Sequence, residues 1–195
     1  MPVFVAILDA CVLYPASLRD TLLRGAEGDL HSLRWSDRIL EETRRNLVGD
    51  GRATEQQANR LVSVVKGNFP ESDVTGFDML EHEITNHPKD RHVLAAAVVA
   101  NARTIVTFST KDFPESALTR YGITASTPDQ VLTKLIVSAP KTMLEIMAEH
   151  AAALTSPPAT LVELLQRLKK IAPFAAGLLQ QRVDTAHGSL ADLEA

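Results

Sequence analysis

Two short runs, Val3-Phe4-Val5-Ala6-Ile7-Leu8 and Thr104-Ile105-Val106-Thr107-Phe108, are rich in β-branched residues and lack polar–apolar alternation. Runs of this kind suit strands buried on both faces, as in a parallel sheet. Between them the pattern is helical. Pro15 opens a segment carrying Leu18, Leu22 and Leu23, with Gly25 and Gly28 near its end. Ser36 is a good N-cap for a helix with Ile39, Leu40, Thr43 and Leu47 on one face, stopped at Gly49. Thr54-Glu55-Gln56-Gln57 reads as a capping box ahead of Ala58, Leu61, Val62 and Val65. A short, weak strand is expected near Val74. Asn86-His87-Pro88-Lys89-Asp90 leads into an alanine-rich helix, Val93 to Val99, whose small side chains permit close packing on a sheet. A further short strand is expected at Gly122–Ala125, before the helix opened by Thr127-Pro128-Asp129-Gln130.

Beyond Ser138 the strand signal stops. Helical stretches are expected over 141–154, 160–171 and 174–186, separated by Ser156-Pro157-Pro158 and Pro173, with fraying from His187 onwards. Thr160-Leu161-Val162-Glu163 is another capping box, and Leu161, Leu164, Leu165 and Leu168 form an apolar face. The expected organisation is an α/β domain over 1–137, a parallel sheet flanked by helices, and a helical C-terminal extension over 138–195.

Composition narrows the class. The chain has 195 residues, 45% of them hydrophobic and 23% charged, which are values of a folded globular protein. No apolar run reaches the length of a membrane span. The N-terminus lacks the pattern of a secretory leader, and the single cysteine, Cys11, has no internal disulfide partner, so the expected location is the cytoplasm. A net charge of −4 argues against strong, sequence-blind attraction to nucleic acid, while leaving room for an enzyme that binds it mainly at its site.

The candidate chemistry is acidic. Asp9 follows the first buried run directly, and Asp112 follows the second after a few residues. In a parallel sheet, ligands sit beyond the carboxyl ends of the strands, at the point where strand order reverses. Asp90 falls in the first turn of the alanine-rich helix. Glu42 borders the apolar stripe of its helix, and Glu41 points further away. Each acid alone has an ordinary explanation as a cap, a turn residue or a solvated side chain. Together they suit a divalent cation, which relieves carboxylate repulsion and can activate water or offset phosphodiester charge. His82, His87 and His92, spaced by five, do not share one helical face and do not suggest zinc. Arg91 is a candidate phosphate contact, whereas Phe108 and Phe113 are expected in the core.

Four blocks of the sequence resemble the PIN-domain ribonucleases, and within them the VapC toxins of bacterial toxin–antitoxin pairs. They are Ile7-Leu8-Asp9-Ala10-Cys11-Val12-Leu13-Tyr14-Pro15, Trp35 to Thr43, Lys89 to Ala97, and Ile105 to Pro114, in the family's order. The resemblance covers about residues 1–135. It implies an acidic site of Asp9, Glu42, Asp90 and Asp112, with Asp9 and Asp90 as direct ligands of Mg2+, or of Mn2+ in its place. It implies an RNA substrate, a cognate antitoxin and a homo-oligomer. Two positions depart from the family: Ser109 stands where asparagine or aspartate is usual, and His87 where close relatives carry aspartate. These departures keep open a degenerate, binding-only PIN-like module. A haloacid-dehalogenase-like phosphohydrolase fits less well, because its second aspartate would fall at Cys11.

Overall fold

A computed structural model describes residues 4–155 and 157–191. Its elements are, in chain order, β1 (Val5–Leu8), α1 (Ala10–Leu13), α2 (Ala16–Glu27), β2 (Ser32–Arg34), α3 (Asp37–Gly49), α4 (Glu55–Asn68), α5 (Asp78–Glu81), α6 (Arg91–Val99), β3 (Thr104–Val106), α7 (Glu115–Leu118), β4 (Thr124–Ser126), α8 (Pro128–Ser138), α9 (Pro140–Ala153), α10 (Leu161–Lys169) and α11 (Pro173–Ala191). The four strands form one parallel sheet in the order β2-β1-β3-β4. This is the expected α/β architecture with further helices after it.

The chain divides into two compact units. The first comprises residues 1–16 and 31–127, and the second residues 17–30 and 128–195. The division falls ten residues before the boundary expected at 137, and it gives the second unit a piece of early sequence. That early piece carries α2, whose grouping depends on contacts distant in sequence and leaves no local mark.

In the first unit the sheet is the core. Ala6, Ile7, Leu8, Ile105 and Val106 are fully buried. Ile7 pairs with Arg34 on one side and Ile105 on the other. Val93 to Ala97 of α6 are also fully buried, consistent with an alanine-rich helix lying close on its neighbours. Beyond β2, Trp35 bridges to Asp73, with the Trp35 N–H donating to the Ser72 carbonyl at 3.0 Å. The weak strand expected near Val74 is this single bridge. Trp35 is sealed by an edge-on contact with Phe69.

In the second unit, Leu164, Leu165 and Leu168 are buried as their spacing predicts, and α10 packs on α11 and α9. The Thr160 capping box forms, with its hydroxyl accepting from Glu163 N–H at 3.2 Å. α2 meets α9: the Thr21 hydroxyl donates to Met147 Sδ, and Gly28 sits where a Cβ would come within 3.1 Å of Ile146 Cδ1. The backbone of α11 stays helical to Ala191, past the end expected at 186, and residues 192–195 lie outside the described residues.

Candidate active site

Strand order reverses between β1 and β3, because the chain builds β2 on one side of β1 and then crosses to the other. Asp9 stands at that point. Its N–H donates to the Val106 carbonyl at 3.1 Å, extending the β1–β3 ladder by one bond and fixing the residue that leaves the sheet. Its side chain is held as firmly. The fully buried Thr107 donates its hydroxyl to Asp9 Oδ2 at 2.7 Å and accepts from Ser109 N–H at 3.0 Å. The Cys11 thiol donates to the same Oδ2 at 3.1 Å. Burial, with the charge of Asp9 behind it, pushes that thiol up to about 12. Cys11 is therefore a protonated donor and no thiolate nucleophile.

Glu42 arrives on α3. Ser36 caps this helix, accepting from Ile39 N–H, and Thr43 donates its hydroxyl back to the Ile39 carbonyl. With Ile39, Leu40, Thr43 and Leu47 turned inward, Glu41 is exposed and clamped by Arg44 in two bonds of 2.7 Å. Glu42 is half-buried. Burial raises its pKa, and the negative charges of Asp9 and Asp90 raise it further. His92, itself buried, places Nε2 3.8 Å from Glu42 Oε2. Burial lowers the His92 pKa and favours the neutral ring.

Asp90 closes a 3-10 turn over Pro88–Asp90 that runs directly into α6. Its pKa is raised by burial first, then by Asp9 and Asp112, while His87 opposes the rise. His87 Nδ1 lies 3.2 Å from Asp90 Oδ2. Asp112 ends a second 3-10 turn, Thr110–Asp112, and its carbonyl accepts from His87 N–H and Asn86 Nδ2, each at 3.4 Å.

The acids singled out in the sequence therefore influence one another: Asp9 acts on Glu42 and Asp90, and Asp112 on Asp90. All lie in the first unit. Among the described residues, no group of three or more His, Cys, Asp or Glu side chains is placed to share a metal ion. The coordination that magnesium favours asks for fewer, one or two carboxylates with waters completing the shell.

Some expectations change. Phe113 is buried as expected, but Phe108 is 43% exposed. β3 ends at Val106, so Thr107 and Phe108 already leave the sheet. Arg91 directs Nε to the Asn86 carbonyl at 3.4 Å, an internal role beside any contact with phosphate. Three neighbours of the acids escaped the sequence reading: Thr107, the thiol of Cys11 as a donor, and His92 beside Glu42. The available signal was position alone, since Thr107 directly follows a buried strand.

Residues 128–181 match the family model for the VapC50 C-terminal domain. That match begins at the residue where the second unit resumes. The chain is also 39% identical, over 102 residues, to "Putative ribonuclease VapC50" of Mycobacterium tuberculosis. The aligned stretch covers 52% of this chain and 60% of that relative. Both similarities are to VapC proteins, and the match at residues 128–181 is to a C-terminal domain. No solved structure matches the chain. Among the described residues, no helix is long and apolar enough to cross a membrane.

Proposed function

We propose that this chain is a VapC-type, divalent-cation-dependent endoribonuclease, the toxin of a toxin–antitoxin pair, acting on structured RNA inside the cell. One observation supports the reading: beside Asp9, at the switch point of a parallel sheet, the charges of Asp9 and Asp90 bear on Glu42, and those of Asp9 and Asp112 on Asp90. The ribonuclease named in the M. tuberculosis relative supports the choice of RNA. The cognate antitoxin and a homo-oligomeric state are part of the same reading.

The donor set fits Mg2+ or Mn2+, because it consists of hard carboxylate oxygens, and the raised pKa values of Glu42 and Asp90 mark charge in need of a counter-ion. Asp9 and Asp90 would hold the cation. When bound, it would supply charge stabilisation at the phosphodiester and a more acidic water. The protein's own contribution is orientation and proton transfer. Thr107 and Cys11 fix the orientation of the Asp9 carboxylate through Oδ2. Glu42, half-buried and with its pKa raised by burial, takes the proton of the attacking water as the base. The water oxygen forms the new P–O bond as the bond to the leaving ribose oxygen breaks, and that oxygen is protonated from solvent.

The test is cleavage of RNA by the purified protein, with and without Mg2+, alongside Asp9→Asn. This substitution keeps the shape of the side chain and removes its charge. Cleavage is expected only in the wild type with Mg2+. Undiminished cleavage by Asp9→Asn would overturn the assignment.

A further inference from the structure

In a cluster of ionised carboxylates no member can donate a hydrogen bond to another, so their orientation depends on donors from outside the cluster. Asp9 has two such donors, Thr107 and Cys11. For Asp90 the donor is His87. Its Nδ1 lies 3.2 Å from Asp90 Oδ2, and the Asp90 N–H returns to the His87 carbonyl at 2.9 Å. The His87 N–H donates in turn to the Asp112 carbonyl at 3.4 Å, beside the bond from Asn86 Nδ2. His87 is thus bonded to two of the acidic residues, which come from segments far apart in sequence. Its backbone is held in place by the next residue, since φ −52° and ψ 130° is the extended geometry that a following proline, here Pro88, imposes.

We propose that His87 is a positioning residue, which holds Asp90 by one carboxylate oxygen and ties the Asp112 turn to it, so that the other Asp90 oxygen is presented to a divalent cation. This rests on the cation-binding reading of the site given above. The imidazole acts as an Nδ1–H donor to the carboxylate and is not itself a ligand. Outer donors of this kind fix the orientation of metal-binding groups, and their loss commonly weakens metal affinity by about 10–100-fold.

The test is Mn2+ binding to the full chain at neutral pH, measured by electron paramagnetic resonance of the free ion, for the wild type, His87→Ala and His87→Asn. Asparagine keeps an N–H donor near the position of Nδ1. His87→Ala is expected to bind Mn2+ about 10–100-fold more weakly, and His87→Asn close to the wild-type level. The thermal midpoints of all three without Mn2+ are expected to agree. The wild-type Mn2+ signal is expected to show no nitrogen coupling from a bound imidazole. Equal affinity of His87→Ala and wild type overturns the proposal, as does a nitrogen coupling, or a loss in His87→Asn as large as in His87→Ala. A wild type that binds no Mn2+ removes the cation reading itself, which is a separate result from any difference among the variants.

Discussion

The Thr107 hydroxyl and the Asp9 carboxylate meet at 2.7 Å, joining the ends of two neighbouring strands through their first residues outside the sheet. Thr107→Val keeps the shape and removes the donor. Cleavage is expected to fall by about 10–100-fold, as for other residues that orient a metal ligand. Thr107→Ser, which keeps the hydroxyl, is expected to stay near the wild-type level. Steady-state cleavage of one RNA by all three proteins checks both halves.

Glu41 and Glu42 are neighbours in sequence with opposite fates, since successive residues of a helix are turned by about 100°. Glu42→Gln is expected to reduce cleavage by about 10²–10⁴-fold, the usual share of a general base. Glu41→Gln loses only its exposed pair with Arg44 and is expected to cleave normally. The reverse result would place the wrong helix face at the site.

Those two residues also show what the sequence makes legible. Helix phase alone separates Glu42 from Glu41, because the buried face of α3 is continuous. β1 and β3 are legible for a similar reason, being buried on both sides and written as nearly unbroken apolar runs. Phe108 is misread by the same logic, because the apolar run outlasts the strand by two residues. Thr107 gives no sign of its partner, because its bond depends on which strands become neighbours. The membership of α2 in the second unit is equally hidden. Its apolar positions show that it packs, and nothing in them says against what.

Asp129 of α8 accepts from the Phe174 and Ala175 N–H groups, at 3.2 and 2.8 Å. These are donors in the first turn of α11, where Pro173 has no N–H to satisfy. Asp129 thus caps a helix 45 residues away in sequence. Asp129→Ala is expected to cost about 1–2 kcal/mol, the upper range for a lost cap. Asp129→Asn is expected to lose less. Urea unfolding monitored by circular dichroism gives both values.

His150 of α9 is buried with Nε2 3.9 Å from Asp20 Oδ2 on α2. Burial lowers its pKa; Asp20 opposes the shift and Arg24 adds to it. The unfolded chain then binds a proton that the folded chain refuses. The resulting stability is complete above the unfolded value of about 6.5 and is lost as pH falls through that value toward the folded one. The thermal midpoint of wild type is therefore expected to drop more steeply below about pH 6.5 than that of His150→Gln, which cannot take up the proton. Parallel curves would show that His150 is not the responsible group.

The second unit is assembled from residues 17–30 and 128–195. That split sets a schedule for synthesis. α2 leaves the ribosome early, and its partners in α9, Ile146 and Met147, follow only after four strands and α8 have been made. At elongation rates of about 5–20 residues per second, α2 waits on the order of 5–20 s with Leu18 and Leu22 lacking their final surroundings. The sheet can close around β1 and β2 in that interval, but the second unit is complete only once the whole chain has been made. A nascent chain stalled before α9 would therefore carry its acidic residues and all four strands, with α2 still lacking Ile146 and Met147.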